Sequence, residues 1–337
     1  MEENRVLGQI HIKKHFENAI RQGKISHAYI INGEEGTGKL QLAINYAKAL
    51  QCQDNSLESD SVTGRACGEC KSCRQTDSKN QPDIKYITHE KQVISVDDIR
   101  EQINDDIDIK PYSSRYKVYI IPDSEKMNIQ AQNALLKTIE EPPEYAVIIL
   151  ITNNADTFLP TILSRCVLLN TRPVREESIY NQLKSEYDVS DYEAKVAISF
   201  ANGNPGKAIK LATSEDFADL KKTVVVTVIS LRKGGMDAVA NDIKKAADFK
   251  KQIDEYFAIM RIWFRDILLY KASRNEEKII FQDEYITIKE MSDIFTFEGL
   301  DIIFKSIDQA ESRIKSNVNF EVTMEVLFLA IKERIQE

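Results

Sequence analysis

Apolar positions along the chain follow two rhythms, and the balance between them changes near residue 171. Ile12, Phe16, Ala19 and Ile20 recur at steps of three and four, which predicts an amphipathic helix that Gly23 closes. Residues 28–31 form a short apolar run read as a buried strand. Glycines follow, and Leu42, Ala43, Tyr46, Ala47 and Leu50 then return to helical spacing. The order is strand, glycine-rich loop, helix. Residues 53–82 are polar and without period. Beyond them, residues 84–88 read as a strand, and Val96, Ile99, Ile103 and Ile107 mark a helix begun near Ser95 or Asp97. Residues 118–121 give a second clear buried strand. Ala131, Ala134, Leu135 and Ile139 stripe a helix that stops before Pro142-Pro143. Residues 146–151 and 167–169 read as a third and a fourth buried strand. Buried strands alternating with helices predict an α/β fold with a parallel sheet covered on both faces.

After about residue 171 the strand signals stop. A small helical stretch runs to about residue 213, interrupted by Gly203-Asn204-Pro205-Gly206, and everything beyond reads as helix. Ile253, Phe257, Met260, Phe264 and Ile267 form one stripe, and Tyr256, Trp263 and Tyr270 add a second at seven-residue spacing. A helix apolar on two sides is either central to a core or shared with a neighbouring subunit. The core reading is favoured, and the three aromatics are kept as candidate contacts to a neighbour.

Length and composition narrow the class. At 337 residues the chain expects two or three domains. A net charge of -8 disfavours charge-driven nucleic-acid binding by the whole surface and points to protein partners. The first ten residues carry acids and no apolar segment, so a secretion signal is not expected. The longest apolar run, residues 145–151, falls far short of a membrane span. Five cysteines without export signals imply reduced thiols.

Gly33-Glu34-Glu35-Gly36-Thr37-Gly38-Lys39 fits G-x-x-x-x-G-K and sits between a predicted strand and a predicted helix. Gly33, Gly36, Gly38 and Lys39 are therefore the candidate phosphate-binding residues: the glycines free backbone N–H groups to face an anion, and Lys39 supplies charge. The next residue is normally Ser or Thr, whose hydroxyl holds Mg²⁺, but here it is Leu40. A metal-binding acid is expected after the strand at 118–121, and that position is Pro122, in Pro122-Asp123-Ser124-Glu125. Both changes strike the same ion, so ATP or ADP could be held but Mg²⁺-dependent hydrolysis is not expected.

Cys52, Cys67, Cys70 and Cys73 have the spacing of a closed tetrahedral Zn²⁺ site. An iron–sulfur run would want a further cysteine at the position of Asp77, so zinc is preferred. Such a clip would order a long segment that has no core of its own. Cys166 is expected to pack beside the following strand. His11, His15, His27 and His89 have no ligand spacing and no paired nucleophile. Asp97, Asp98, Asp105 and Asp106 read as a solvated helix face.

Three further motifs carry a family resemblance. Ser26-His27-Ala28-Tyr29 precedes the phosphate loop, Asn133-Ala134-Leu135-Leu136-Lys137-Thr138-Ile139-Glu140-Glu141-Pro142-Pro143 spans one helix, and Ser164-Arg165-Cys166 follows Leu159-Pro160-Thr161-Ile162-Leu163. With the cysteine insertion at about 52–73, these resemble the bacterial DNA polymerase III clamp-loader subunits, an AAA+ family, over about residues 5–210. The hydrolysing gamma/tau members keep G-K-[ST], an Asp-Glu pair and a second-sensor arginine. Leu40, Pro122 and Gly206, which aligns with that arginine, instead resemble the delta-prime branch.

The resemblance implies a AAA+ core at residues 1–171, a small helical lid at 172–213 and a helical oligomerisation collar at 214–337. It implies a stator without ATPase activity of its own, with Arg165 acting in trans as an arginine finger on a neighbour's ATP. Asn153 aligns with the first-sensor position. The implied partners are gamma/tau and delta subunits, with the beta sliding clamp and primer-template DNA met through the assembled complex, in a cytoplasmic, nucleoid-associated replisome. The rival readings are an autonomous gamma/tau-like ATPase and a zinc-ribbon nucleic-acid binder.

Overall fold

The computed structural model describes residues 6–55, 63–89 and 92–336. The part of the cysteine insertion at 56–62 lies outside the described residues, as do residues 1–5. The chain groups into two compact units. One runs to Ile179 and includes Gly203–Lys207; the other comprises Tyr180–Asn202 and Ala208 onward.

The first unit runs α1 (Ile10–Arg21), β1 (Ala28–Asn32), α2 (Lys39–Leu50), α3 (Lys71–Asp77), β2 (Ile84–Tyr86), α4 (Val96–Ile99), β3 (Lys117–Ile121), α5 (Ile129–Glu140), β4 (Ala146–Thr152), α6 (Pro160–Leu163) and β5 (Val167–Asn170). Its strands form one parallel sheet in the order β2-β3-β4-β1-β5. Alternate residues on a strand point to opposite faces, so each strand feeds two cores. Tyr29, Ile31, Val118, Ile120, Val147 and Ile149 pack with α1 and α2 on one side. Ile30, Tyr119, Ile121, Ile148 and Leu150 pack with α4 and α5 on the other. This double burial is why the strands read as continuous apolar runs. The predicted faces of α1 and α2 are the buried ones.

Three local expectations change. Residues 167–169 are not a buried strand: β5 is a sheet edge beside β1 and is alternately half-buried and exposed, because among the described residues no strand pairs with its outer side. The helix at 96 starts where expected, on a Ser95/Asp98 capping box, but turns into a π-helical segment over Arg100–Asn104. That widened turn still buries Ile99, Ile103 and Ile107, so the stripe was sound while the helix type was not. The segment read as irregular at 53–82 contains α3, whose N-cap is the Cys70 sulfur, accepting from the Cys73 N–H.

The second unit is helical. It holds most of α7 (Glu176–Tyr187), α8 (Asp191–Ala201), most of α9 (Pro205–Thr213), α10 (Glu215–Lys233), α11 (Met236–Ala247), α12 (Ile253–Ser273), α13 (Tyr285–Ile294), α14 (Phe297–Lys315) and α15 (Phe320–Gln336). α12 is the central element, packed by α10, α13 and α14. Tyr256, Trp263 and Tyr270 are buried there with Phe257, Met260 and Phe264. They are core residues of this chain and cannot be contacts to a neighbour, since a side chain enclosed by its own fold has no surface to offer.

Candidate functional site

The phosphate loop leaves the C-terminal end of β1 and opens α2, flanked by the ends of β3 and β4, the crevice where parallel α/β sheets hold ligands. Gly38 caps α2 in a left-handed conformation, φ 83°. Lys39 is only 7% exposed. Its Nζ donates to Gly33 O at 2.6 Å, Glu34 O at 2.7 Å and Asn153 Oδ1 at 2.8 Å. An ammonium has three N–H bonds, so these contacts use all of its capacity. Burial pushes its pKa down, against the pull of Glu125, Glu35, Asp123 and Glu34. Asn153 is itself fixed, its Nδ2 donating to Glu125 Oε1 at 2.9 Å.

A cavity of about 700 Å³ opens beside the loop, lined among others by Lys39, Leu40, Pro122, Asp123, Glu125 and Asn153. Leu40, 44% exposed, and Pro122 face it with no oxygen to hold a hard cation. Asp123 pairs with Lys126 at 2.8 Å. The loop is also clasped from behind. Asn204 Nδ2 donates to Glu35 O at 2.7 Å, and the Gly206 N–H donates to Gly36 O at 3.0 Å. A Cβ on Gly206 would lie 2.6 Å from Gly36 Cα, so only glycine permits this approach. Sequence reasoning placed Gly206 at a vanished arginine and missed the clasp. The available signal was the Gly-Asn-Pro-Gly break itself.

The four predicted cysteines converge. The Sγ atoms of Cys52, Cys67, Cys70 and Cys73 all lie within 4.8 Å of one another. Cys52 and Cys73 are buried. Backbone N–H groups of Cys67, Cys70 and Cys73 donate to the sulfurs of Cys52, Cys67 and Cys70 at 3.3, 3.3 and 3.4 Å. Burial pushes the Cys70 thiol up, but N–H donors and the neighbouring thiols outweigh it and bring it down to about 7. Burial raises Cys52 and Cys73. Four convergent sulfurs with N–H donors aimed at three of them fit a soft, tetrahedral metal ion. Cys166 stands apart, packed against the α4/α5 core, its thiol pushed up to about 12 by burial.

Arg165 follows α6. Its Nη2 meets Glu140 Oε1 at 2.9 Å, and its Nη1 donates to Thr161 O at 3.2 Å and Ser164 Oγ at 3.3 Å.

Comparison with known proteins identifies the family. A family profile described as "DNA polymerase III, delta subunit" matches residues 8–175, and "DNA polymerase III, delta subunit, C terminal" matches residues 240–333. The DNA polymerase III subunit delta' of Bacillus subtilis is 30% identical over 96% of this chain and 96% of its own length. The chain belongs to the delta-prime family of DNA polymerase III clamp-loader subunits. Family members with a different name are also similar: Bacillus subtilis subunit tau is 30% identical over 95% of this chain, which spans 60% of tau's length. Escherichia coli subunit tau is 34% identical over 53% of this chain and 27% of its own length.

Proposed function

We propose that this clamp-loader subunit is a non-hydrolysing stator that lends Arg165 to the ATP of a neighbouring gamma/tau subunit. The observation that carries the reading is the pair Leu40, in the first turn of α2, and Pro122, just after β3, which line one cavity and whose side chains offer no oxygen to a cation. Phosphoryl transfer depends on a metal ion to offset charge on the transferred group. Lys39 adds to this, because its donors are committed to the loop carbonyls and Asn153. ATP or ADP binding through Gly33, Gly36, Gly38 and Lys39 would have to displace those contacts. Arg165 is suited to the opposite role: a guanidinium keeps its charge at every physiological pH and matches phosphate geometry.

In this reading residues 1–171 are the AAA+ core, 172–213 a lid and 214–337 a collar that joins gamma/tau and delta subunits. The assembly would open the beta clamp on primer-template DNA in the cytoplasmic replisome. Zn²⁺ would be held by Cys52, Cys67, Cys70 and Cys73 as a structural ion. The similarity to tau favours one rival, an autonomous ATPase, and the loss of both cation ligands weighs against it. The net charge of -8 weighs against a general nucleic-acid binder.

The test is ATP turnover. The isolated chain with ATP and Mg²⁺ is expected to show none. In a complex reconstituted with the partner subunits, R165A is expected to lower hydrolysis at the site it serves by about 10³-fold while assembly persists. Turnover by the isolated chain would overturn the stator reading, and an unchanged rate with R165A would remove the finger.

A further inference from the structure

Arg165 is held in place by a residue that no motif assigns to it. Glu140 is the last residue of α5, and its carboxylate reaches the guanidinium Nη2 at 2.9 Å. Thr161 O, in α6, and Ser164 Oγ, at the end of α6, take Nη1. The guanidinium therefore rests between the Glu140 carboxylate at the end of α5 and two oxygens of the short turn around α6, which together favour a cation. Two edges of the planar group are engaged at once. An arginine has five N–H donors, so these contacts fix its plane and still leave donors for an incoming phosphate.

From this geometry we propose that Glu140 is a positioning residue for Arg165, and that it sets the orientation from which the guanidinium meets a neighbour's nucleotide triphosphate. The inference rests on the stator reading above. A free arginine side chain carries rotamer entropy, part of which must be lost when it docks. Glu140 removes part of that loss in advance, the way fixed groups gain their catalytic advantage. The pair is also easily exchanged. Arg165 is 42% exposed and Glu140 40% exposed, so water and salt screen their attraction. A deeply buried pair would refuse to release the arginine, and an unpaired arginine would have to find its place each time. This half-exposed pair sits between those limits.

The experiment uses the reconstituted complex in which the neighbour served by Arg165 holds the only hydrolysis-competent site. E140A is expected to lower kcat about two- to five-fold, the range an exposed ion pair supports, with KM for ATP unchanged. E140Q, which keeps an acceptor oxygen, is expected to recover part of the loss. The deficit of E140A should shrink as salt is raised. The decisive readout is the double-mutant cycle. With R165A already present, adding E140A should change kcat no further. Full additivity of the two substitutions, or E140A activity equal to wild type while R165A is impaired, overturns the positioning role and leaves the finger standing. R165A activity equal to wild type removes the finger itself, and Glu140's role with it.

Discussion

Lys39 and Arg165 are both cations at strand ends of one parallel sheet, Lys39 beyond the C-terminal end of β1 and Arg165 before the start of β5, and they are held in opposite ways. Lys39 is buried, with every N–H spent on its own loop and on Asn153. Arg165 is half-exposed on a short element after α6, with one screened ion pair and two longer hydrogen bonds. The first arrangement ties the loop to itself and to the end of β4. The second costs little to undo. The two contact patterns are local: one ties the glycine-rich loop to the end of β4, and the other leaves the Arg165 guanidinium half-exposed.

The contrast can be tested from the metal site downward. The largest expected effect comes from C73S, which removes a buried sulfur from the cysteine cluster. Bound metal should fall from one equivalent toward none, and amide exchange should accelerate most over residues 63–77. Because α3 packs on α2, the rise should spread to α2 and stop short of Glu140 and Arg165. Equal acceleration at both places would erase the distinction between them. Acidification acts in the same direction. Cys70 is brought down to about 7, so the stability its thiolate contributes is complete above the ordinary thiol range and is lost as pH falls through about 7. Bound metal moves that loss to lower pH.

Next come two substitutions at the phosphate loop, read by denaturant melting. K39A removes the ammonium donor from Gly33 O and Asn153 Oδ1, while Glu34 O keeps Thr37 Oγ1 at 2.8 Å, and is expected to cost about 1–3 kcal/mol. G206A drives a Cβ against Gly36 and is expected to cost about 1–3 kcal/mol by forcing the clasp apart. If either variant melts like wild type, the loop is not the structural clasp its contacts describe. The smallest effect is expected from R65A, which removes a solvent-screened pair with Glu17 at 2.7 Å and should melt close to wild type. A larger cost would show that the cysteine insertion leans on α1 more than its contacts indicate.

How much of this was legible beforehand follows from the range of the interactions. The strands 28–31, 118–121 and 146–151 and the stripes of α1, α2 and α5 were readable because burial on a sheet or a helix face repeats at a local period. The four cysteines and the missing cation ligands were readable because spacing and residue type carry their chemistry. The exposure of β5 was not, since edge position depends on strand order and not on the strand's own residues. Nor was the enclosure of Tyr256, Trp263 and Tyr270, because a two-sided apolar helix looks the same whether its second side meets its own chain or another. The clasp of Glu35 by Asn204 joins residues 169 positions apart, and Glu140 finds Arg165 across the β4 crossover. The Gly-Asn-Pro-Gly break marks a turn but not the residue it meets, and the Glu140 pairing leaves no trace in local pattern.

The most direct measurement sets the two cations side by side in the reconstituted complex, by comparing ATP hydrolysis with K39A and with R165A. The account predicts near wild-type turnover for K39A once the complex has assembled, and collapse at the served site for R165A. Collapse with K39A while R165A continues to hydrolyse ATP would show that this chain uses its own phosphate loop after all.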